Sequence, residues 1–239
     1  MYGYGGYGGY GYYSSMIFLI PAILLTLYAQ AKVNSAYSKY ARVANRRGMN
    51  GAQAARMILD ANGMSDVPIQ MVSGKLSDHY DPRRRVMRLS SQVYNDPSVA
   101  SIAIAAHEAG HAIQHSVGYS PLQIRNTIVP VVNLCSNMAW PILMVGLVLG
   151  HSAMGDMVFN LGVLLFSTAV VFQLITLPVE FNASKRAMEQ MEAMGIVADH
   201  QEARGARKVL TAAALTYVAA LAMAVSNLIR ILAMRGRRD

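Results

Sequence analysis

The 239-residue chain is short of charged residues and almost without cysteine. Only 14% of its residues are charged, against about 25% in soluble domains, while 54% are hydrophobic. This deficit predicts a membrane protein. The single cysteine, Cys135, excludes an intramolecular disulfide and any metal site built from several cysteines. The net charge of +8 lacks the interleaved aromatic residues of a nucleic-acid surface, so the expected partner is a lipid bilayer and not a nucleic acid.

Four long stretches of the sequence carry almost no charge and can each cross the roughly 30 Å hydrocarbon core of a bilayer. We predict transmembrane helices at residues 14–31, 127–150, 157–179 and 209–232. No Lys or Arg precedes the first stretch and no small-residue cleavage site is evident, which favours a retained anchor over a signal peptide. The leader, residues 1–13, consists of glycine and tyrosine after its first residue and is predicted to be disordered.

The distribution of basic residues predicts the orientation of these helices, because Lys and Arg mark cytoplasmic loops. Residues 31–126 carry 12 of the 21 basic residues and residues 180–208 carry 5, whereas the link at 151–156 carries none. We therefore predict that the first and third connections face the cytoplasm. Four crossings would place the C-terminus outside, but three arginines near that end favour the cytoplasm. The sequence therefore does not determine the side of the C-terminus.

The first connection, residues 32–126, is long enough for a compact α+β module. Asn50 and Gln53 stand at the spacing of a capping box and predict the start of a helix. Alternation and turn residues between 67 and 89 predict two or three short strands. Small apolar residues then predict a helix over 98–118. The expected fold is mainly α: a multi-pass membrane protein with a small cytoplasmic α+β insert.

The predicted helix 98–118 carries the sequence His-Glu-Ala-Gly-His. His107 and His111 lie four residues apart, so both imidazoles project from one face of the helix and can bind one zinc ion. Glu108 adjoins the first histidine, where a carboxylate can take a proton from water beside the metal. The alternative is a helix whose histidines pack or face water, but titratable groups on so apolar a helix would cost desolvation free energy.

A third zinc ligand must come from elsewhere in the chain. His115 lies eight residues after His107, about 12 Å along the helix, and cannot share one ion with it. A known arrangement places a glycine and a histidine three and six residues after the second histidine. This chain has Gln114 and Val117 at those positions, which excludes that class.

Glu180 is the first charged residue after the second and third predicted spans, which form a hairpin that returns the chain to the side of His107. Pro178 suits a helix start, which places Glu180 in a first helical turn or where the span emerges. His107, His111 and Glu180 are therefore the predicted ligands of one zinc ion per chain, with a fourth position open for water. The alternative for Glu180 is an interfacial ion pair with a nearby basic residue, Lys185 or Arg186.

Four segments, "DHYDP", "VMRLS", "AAHEAGHAIQH" and "LPVEFNASKRA", resemble the YugP-like, or neutral zinc metallopeptidase, family, and the resemblance runs from Ser14 to about Leu232. It implies a membrane protease with the zinc ligands named above. The chain is more distantly similar to the HtpX type of membrane protease. There a transmembrane hairpin separates the motif helix from a glutamate ligand, and an aspartate follows that glutamate by four residues. This chain has Ser184 at that position.

We predict a gluzincin-like zinc endopeptidase that hydrolyses peptide bonds of protein or peptide substrates at the cytoplasmic face of the cell membrane. Glu108 is the expected general base, and His79, Tyr80 and Arg186 are candidate donors to the oxyanion. The strand at 86–89 is either a partner for an extended substrate or a plain core strand.

Two other functions are compatible with the sequence. An intramembrane-cleaving metalloprotease would need a downstream Leu-Asp-Gly ligand motif, which the chain lacks. A non-enzymatic membrane scaffold that contains structural zinc would have a closed site with four ligands. The substrates and the oligomeric state do not follow from the sequence.

Overall fold

The structure is a computed structural model, and it describes residues 16–74, 77–150 and 152–235. The leader at 1–13, which we predict to be disordered, lies outside the described residues.

Helices make up most of the described chain. They are α1 (Ile20–Tyr40), α2 (Gly51–Ala61), α3 (Ser91–Asn95), α4 (Val99–Ser116), α5 (Ser120–Val148), α6 (Ala153–Ala193) and α7 (His200–Arg235), and the strands are β1 (Ile69–Val72), β2 (His79–Asp81) and β3 (Val86–Ser90). A short 3-10 helix, Ile17–Leu19, precedes α1. Four helical segments are long and apolar enough to cross a membrane: Ile17–Tyr40, Ser120–Val148, Ala153–Ala193 and His200–Met234. The prediction of a mainly helical chain with four candidate spans is therefore confirmed.

Helix α6 continues without a break through Pro178, so the prediction that a helix starts at this proline is wrong. Proline lacks the backbone N–H that would bond to the carbonyl four residues earlier. The loss of this bond does not interrupt a 41-residue helix, because long apolar helices tolerate proline when other groups satisfy the freed carbonyl. Glu180 thus lies inside the helix that contains the third predicted span.

The described chain divides into two compact units. The helical unit consists of the described parts of Met1–Tyr28, Ile124–Thr176 and Tyr217–Asp239, and the α/β unit consists of the described parts of Ala29–Gln123 and Leu177–Thr216. The α/β unit therefore joins two segments that are far apart in sequence.

In the helical unit, α5 and α6 form an antiparallel hairpin. A Cβ added to Gly146 would lie 2.6 Å from the backbone nitrogen of Phe159. Earlier on α5 and later on α6, the rings of Trp140 and Phe166 have centroids 6.3 Å apart. Because positions that come later on one helix meet positions that come earlier on the other, the two helices run in opposite directions.

The α/β unit contains a three-stranded sheet in the order β1-β3-β2, with β1 parallel and β2 antiparallel to β3. The central strand β3 is paired on both sides and largely buried, so it has no edge for a substrate. Of the two readings of residues 86–89, the core strand is correct.

Helix α4 lies in the core of the α/β unit, and most of its side chains are buried. Its first turn is capped by Ser98, whose side chain accepts a hydrogen bond from the backbone N–H of Ser101. Alanines make up much of its sequence, and small side chains let neighbouring elements approach closely. This packing fixes the position and orientation of the His-Glu-Ala-Gly-His motif.

Candidate metal centre

The two motif histidines of α4 face a single carboxylate oxygen. Nε2 of His107 lies 3.3 Å and Nε2 of His111 lies 3.4 Å from Oε2 of Glu180 on α6. One ligand atom from each of the three residues falls within 4.8 Å of the other two. Glu180 is only 2% exposed. The structure thus places a buried carboxylate next to the two imidazoles that are predicted to share a metal ion with it.

Gly110, inside the motif, allows the two helices to approach this closely. A Cβ at this position would lie 2.5 Å from the carbonyl oxygen of Ala183, a backbone atom of α6. Glycine permits such close approach of two backbones because it has no side chain. In the sequence, the only sign of this role was a glycine in the interior of an otherwise apolar helix.

The second ring nitrogen of each histidine has a partner of its own. Nδ1 of His107 lies 3.1 Å from Oγ of Ser184, and Nδ1 of His111 lies 3.0 Å from Oε1 of Gln114. Such contacts orient metal-ligating imidazoles. Ser184, at the position where the HtpX type has an aspartate, therefore contacts one of the predicted ligands. No sequence pattern predicted the contact between Gln114 and His111.

Glu108 is buried beside the edge of the sheet. Its Oε2 accepts a hydrogen bond of 3.0 Å from the backbone N–H of Tyr80 in β2. The hydroxyl of Tyr80 lies 2.9 Å from Nδ1 of His115, two turns further along α4. Tyr80 thus ties β2 to α4 at two points, and His115 is engaged with Tyr80.

Burial and nearby carboxylates act in opposite directions on His111. Burial alone would lower its pKa, but a hydrogen bond to Glu180 and the negative charge of Glu108 raise it, and the net effect is a raised pKa. The two carboxylates therefore favour positive charge on this imidazole.

The two basic residues named as alternative partners of Glu180 are engaged elsewhere. Lys185 lies 3.7 Å from the carboxylate of Glu189, and Nε of Arg186 donates a 2.8 Å hydrogen bond to Asn182. These contacts favour the metal interpretation of Glu180 over the surface ion pair.

The donor set of the site fits zinc. Two imidazole nitrogens and one carboxylate oxygen are the protein ligands of many catalytic zinc ions, which keep a further position for water or substrate. His107, His111 and Glu180 are the residues of the described chain that would hold the ion.

Comparisons with known proteins agree with this chemistry. A family model described as "Putative neutral zinc metallopeptidase" matches residues 15–236. The chain is 49% identical over 215 residues to the "Putative membrane protease YugP" of Bacillus subtilis (strain 168), an alignment that covers 90% of this chain and 93% of that protein. The comparison with solved structures found no match. By these matches, the chain belongs to the neutral zinc metallopeptidase family.

Proposed function

We propose that this protein is a membrane-bound zinc endopeptidase with His107, His111 and Glu180 as metal ligands and Glu108 as general base. The observation that carries the proposal is the buried Glu180 carboxylate, 3.3 and 3.4 Å from the Nε2 atoms of two histidines one turn apart. Membership of a metallopeptidase family, and a relative named as a membrane protease, support it.

The roles of the residues follow from what each side chain can do. When bound, zinc would supply Lewis-acid polarisation of the scissile carbonyl and of water. Glu108 accepts a proton from the attacking water and then gives it to the leaving amine. The Tyr80 N–H, which holds one oxygen of Glu108, keeps this carboxylate oriented during both transfers.

Substrate binding at the edge of β2 suits this geometry. Among the described strands, β2 pairs only with β3, and the N–H of Tyr80 reaches Glu108 from the opposite side. Main-chain pairing with a sheet edge is a common mode of peptide binding. Because Glu108 occupies the backbone N–H of Tyr80, an extended peptide at this edge would lie next to the general base and would pair through other main-chain groups.

Three side chains were predicted as candidate oxyanion donors, and each has a partner in the structure. The hydroxyl of Tyr80 contacts His115, Nε of Arg186 contacts Asn182, and Nδ1 of His79 lies 2.8 Å from a backbone oxygen. A donor role for Nδ1 of His79 or for Nε of Arg186 requires that this contact be exchanged for one with the substrate, whereas the terminal N–H groups of Arg186 are further donors.

We place the active site at the cytoplasmic face of the cell membrane. The support is the concentration of Lys and Arg in residues 31–126 and 180–208, the segments that contribute most of the α/β unit. Helix α4, although apolar, is packed in the core of that unit and is not among the candidate spans of the described chain. This packing favours cleavage outside the bilayer over intramembrane cleavage. Within the described residues the site offers three ligands, which favours an enzyme over a scaffold with a closed four-ligand site.

The test is a cleavage assay on the purified full-length protein, with an unfolded protein as substrate. We expect cleavage to be lost with a chelator and to return with zinc. Glu108→Gln is expected to retain zinc while cleavage falls by about a hundredfold or more. The matched control is Glu192→Gln, whose side chain is 47% exposed and paired with Arg207.

Undiminished cleavage by Glu108→Gln would refute the assignment of the general base. A wild-type protein that holds zinc but cleaves no substrate would favour the scaffold.

A further inference from the structure

Gln114 is a fully buried polar residue that the proposed reaction does not use. It lies on α4 three residues after His111 and is 0% exposed. Its Nε2 lies 2.8 Å from the backbone oxygen of Val179 and 3.0 Å from Oδ1 of Asn182, both on α6. Its Oε1 lies 3.0 Å from Nδ1 of His111. A single side chain therefore links a predicted metal ligand to the helix that carries Glu180.

The partners of Gln114 determine which way its amide faces. A backbone carbonyl only accepts hydrogen bonds, so the group next to Val179 must be the NH2. Asn182 also presents its oxygen, because the same atom accepts a 2.8 Å hydrogen bond from Nε of Arg186, which can only donate. Both hydrogens of the Gln114 amide are thus used on α6, and its oxygen faces His111.

This orientation determines the tautomer of His111. An oxygen acceptor 3.0 Å from Nδ1 requires a hydrogen on that nitrogen. In the neutral ring the lone pair is then on Nε2, the atom that faces Glu180.

The partner of His107 imposes no such restriction. The Ser184 hydroxyl next to Nδ1 of His107 can donate or accept, so it suits either tautomer of that ring.

We infer that Gln114 is the positioning residue of the metal centre, because it fixes His111 with its Nε2 lone pair facing Glu180 and ties α4 to α6. The inference rests on the metal site of the proposed function, but not on peptide cleavage. The two histidine ligands therefore differ in their tautomers. The Gln114 amide allows only one neutral tautomer of His111, whereas the Ser184 hydroxyl allows either tautomer of His107.

The first experiment measures zinc affinity of the purified full-length protein by competition with a chelator. Gln114→Met keeps the size of the side chain but removes its hydrogen bonds. We expect a loss of affinity of about tenfold to a hundredfold. The matched control is Gln190→Met, because Gln190 lies on α6, the helix that Gln114 contacts, and accepts a hydrogen bond from Asn62, away from the three ligands. Its affinity is expected to stay within about twofold of wild type.

Wild-type affinity in Gln114→Met, or an equal loss in both Met variants, would overturn the inference. Zinc affinity is read without any substrate, so a protein that proves not to be a peptidase leaves this result interpretable. Conversely, lost cleavage with unchanged zinc affinity in Gln114→Met counts against the positioning role and not against the proposed function.

A second variant separates the tautomer lock from packing. Gln114→Glu keeps an acceptor for Nδ1 of His111 but loses the donors to α6. We expect its zinc affinity to lie between those of wild type and Gln114→Met. A zinc affinity as low as that of Gln114→Met would show that an acceptor for Nδ1 of His111 does not contribute to zinc binding.

If the Met variant does not fold, the wild-type protein itself gives the answer. Side-chain nitrogen NMR of the zinc-loaded protein is expected to show His111 protonated at Nδ1 and bound through Nε2. Binding through Nδ1 would overturn the inference.

Discussion

The two units of this protein differ in where their apolar side chains lie. In the α/β unit, buried side chains from helices and strands form one large connected core. In the helical unit, the buried cluster joins Leu143, Phe159 and Ile231, while large side chains such as Leu134 and Leu164 are 65% exposed. The α/β unit is thus built around an interior, whereas the helical unit presents apolar surface outward. This is what bilayer-embedded helices require, since lipid chains cover that surface.

The units also differ in the polar groups they bury. The α/β unit buries Glu108, Gln114 and Glu180, and each of them has polar partners. In the helical unit, the guanidinium of Arg230 lies 5.4 Å from the centroid of the Trp140 ring. The α/β unit is therefore organised around its polar site, and the helical unit around helix packing. Four predictions test this contrast.

The largest effect is expected from Glu180→Gln. The substitution removes the charged ligand from a buried site, so we expect zinc affinity to fall by more than about a hundredfold, beyond the loss typical of residues that only support a ligand. Zinc content after dialysis measures this effect. Glu189→Gln is the control on the same helix, because its pair with Lys185 is exposed and contributes about 0–1 kcal/mol. Zinc retained by Glu180→Gln would contradict the metal site.

The second prediction compares the free energy of unfolding after one glycine in each unit is replaced by alanine. Gly110→Ala sets a Cβ 2.5 Å from a backbone oxygen of α6, so the helices must move apart at the metal site. Gly162→Ala sets a Cβ 2.7 Å from Cγ of Leu143 and 3.0 Å from the backbone nitrogen of that residue, so its closest contact is with a side chain and not with the backbone. We expect Gly110→Ala to lower the free energy of unfolding by about 3 kcal/mol and Gly162→Ala by about 1 kcal/mol, within the range for overpacking.

Thermal unfolding of both metal-free variants in one detergent measures this difference. Gly110→Ala should also weaken zinc binding, whereas Gly162→Ala should not. The reverse order of stability would show that the helical unit is the more tightly constrained of the two.

A smaller effect is expected from Tyr80→Phe. The substitution removes the hydroxyl that contacts His115 but keeps the backbone N–H on Glu108. We expect a loss of about 1 kcal/mol in the free energy of unfolding, the usual net value of one hydrogen bond. Zinc affinity should be unchanged. Chemical denaturation measures the loss, and a loss of zinc would show that β2 supports the ligands as well as the general base.

The smallest effect concerns pH. Burial raises the pKa of Asp78, although hydrogen bonds from Ser90 oppose the shift, and the charge of Glu108 adds to it. A carboxyl whose pKa is raised in the folded state stabilises the protein fully below its unfolded pKa. That contribution is lost as the pH rises through the folded value.

Asp78→Asn should therefore make stability less dependent on pH between the ordinary Asp pKa and the raised one. Unfolding measured across the acidic range tests this. In the described chain, Asp156 is the only acidic residue of the helical unit, so few carboxyl groups of that unit titrate over this pH range. If the free energy of unfolding depends on pH equally in Asp78→Asn and in the wild type, Asp78 does not cause this dependence.

Local features of the fold were predictable because they depend on residues close together in sequence. The capping box of Asn50 and Gln53 is present at the start of α2. The helix predicted over 98–118 is α4, Val99–Ser116. Pro178 misled the prediction because a proline signal is local, whereas a long helix in a favourable environment can absorb one missing hydrogen bond.

The apolar spans and the helical spacing of His107 and His111 could be read from the sequence alone, since composition and a period of 3.6 residues act over one or a few turns. The tertiary structure was needed to show the distances of Glu180 from both rings, the contact of Gly110 with Ala183 and the hydrogen bond from Gln114 to Val179. These contacts join segments 65 to 73 residues apart. They exist because two helices pack backbone to backbone, and no local pattern specifies which helices will do so.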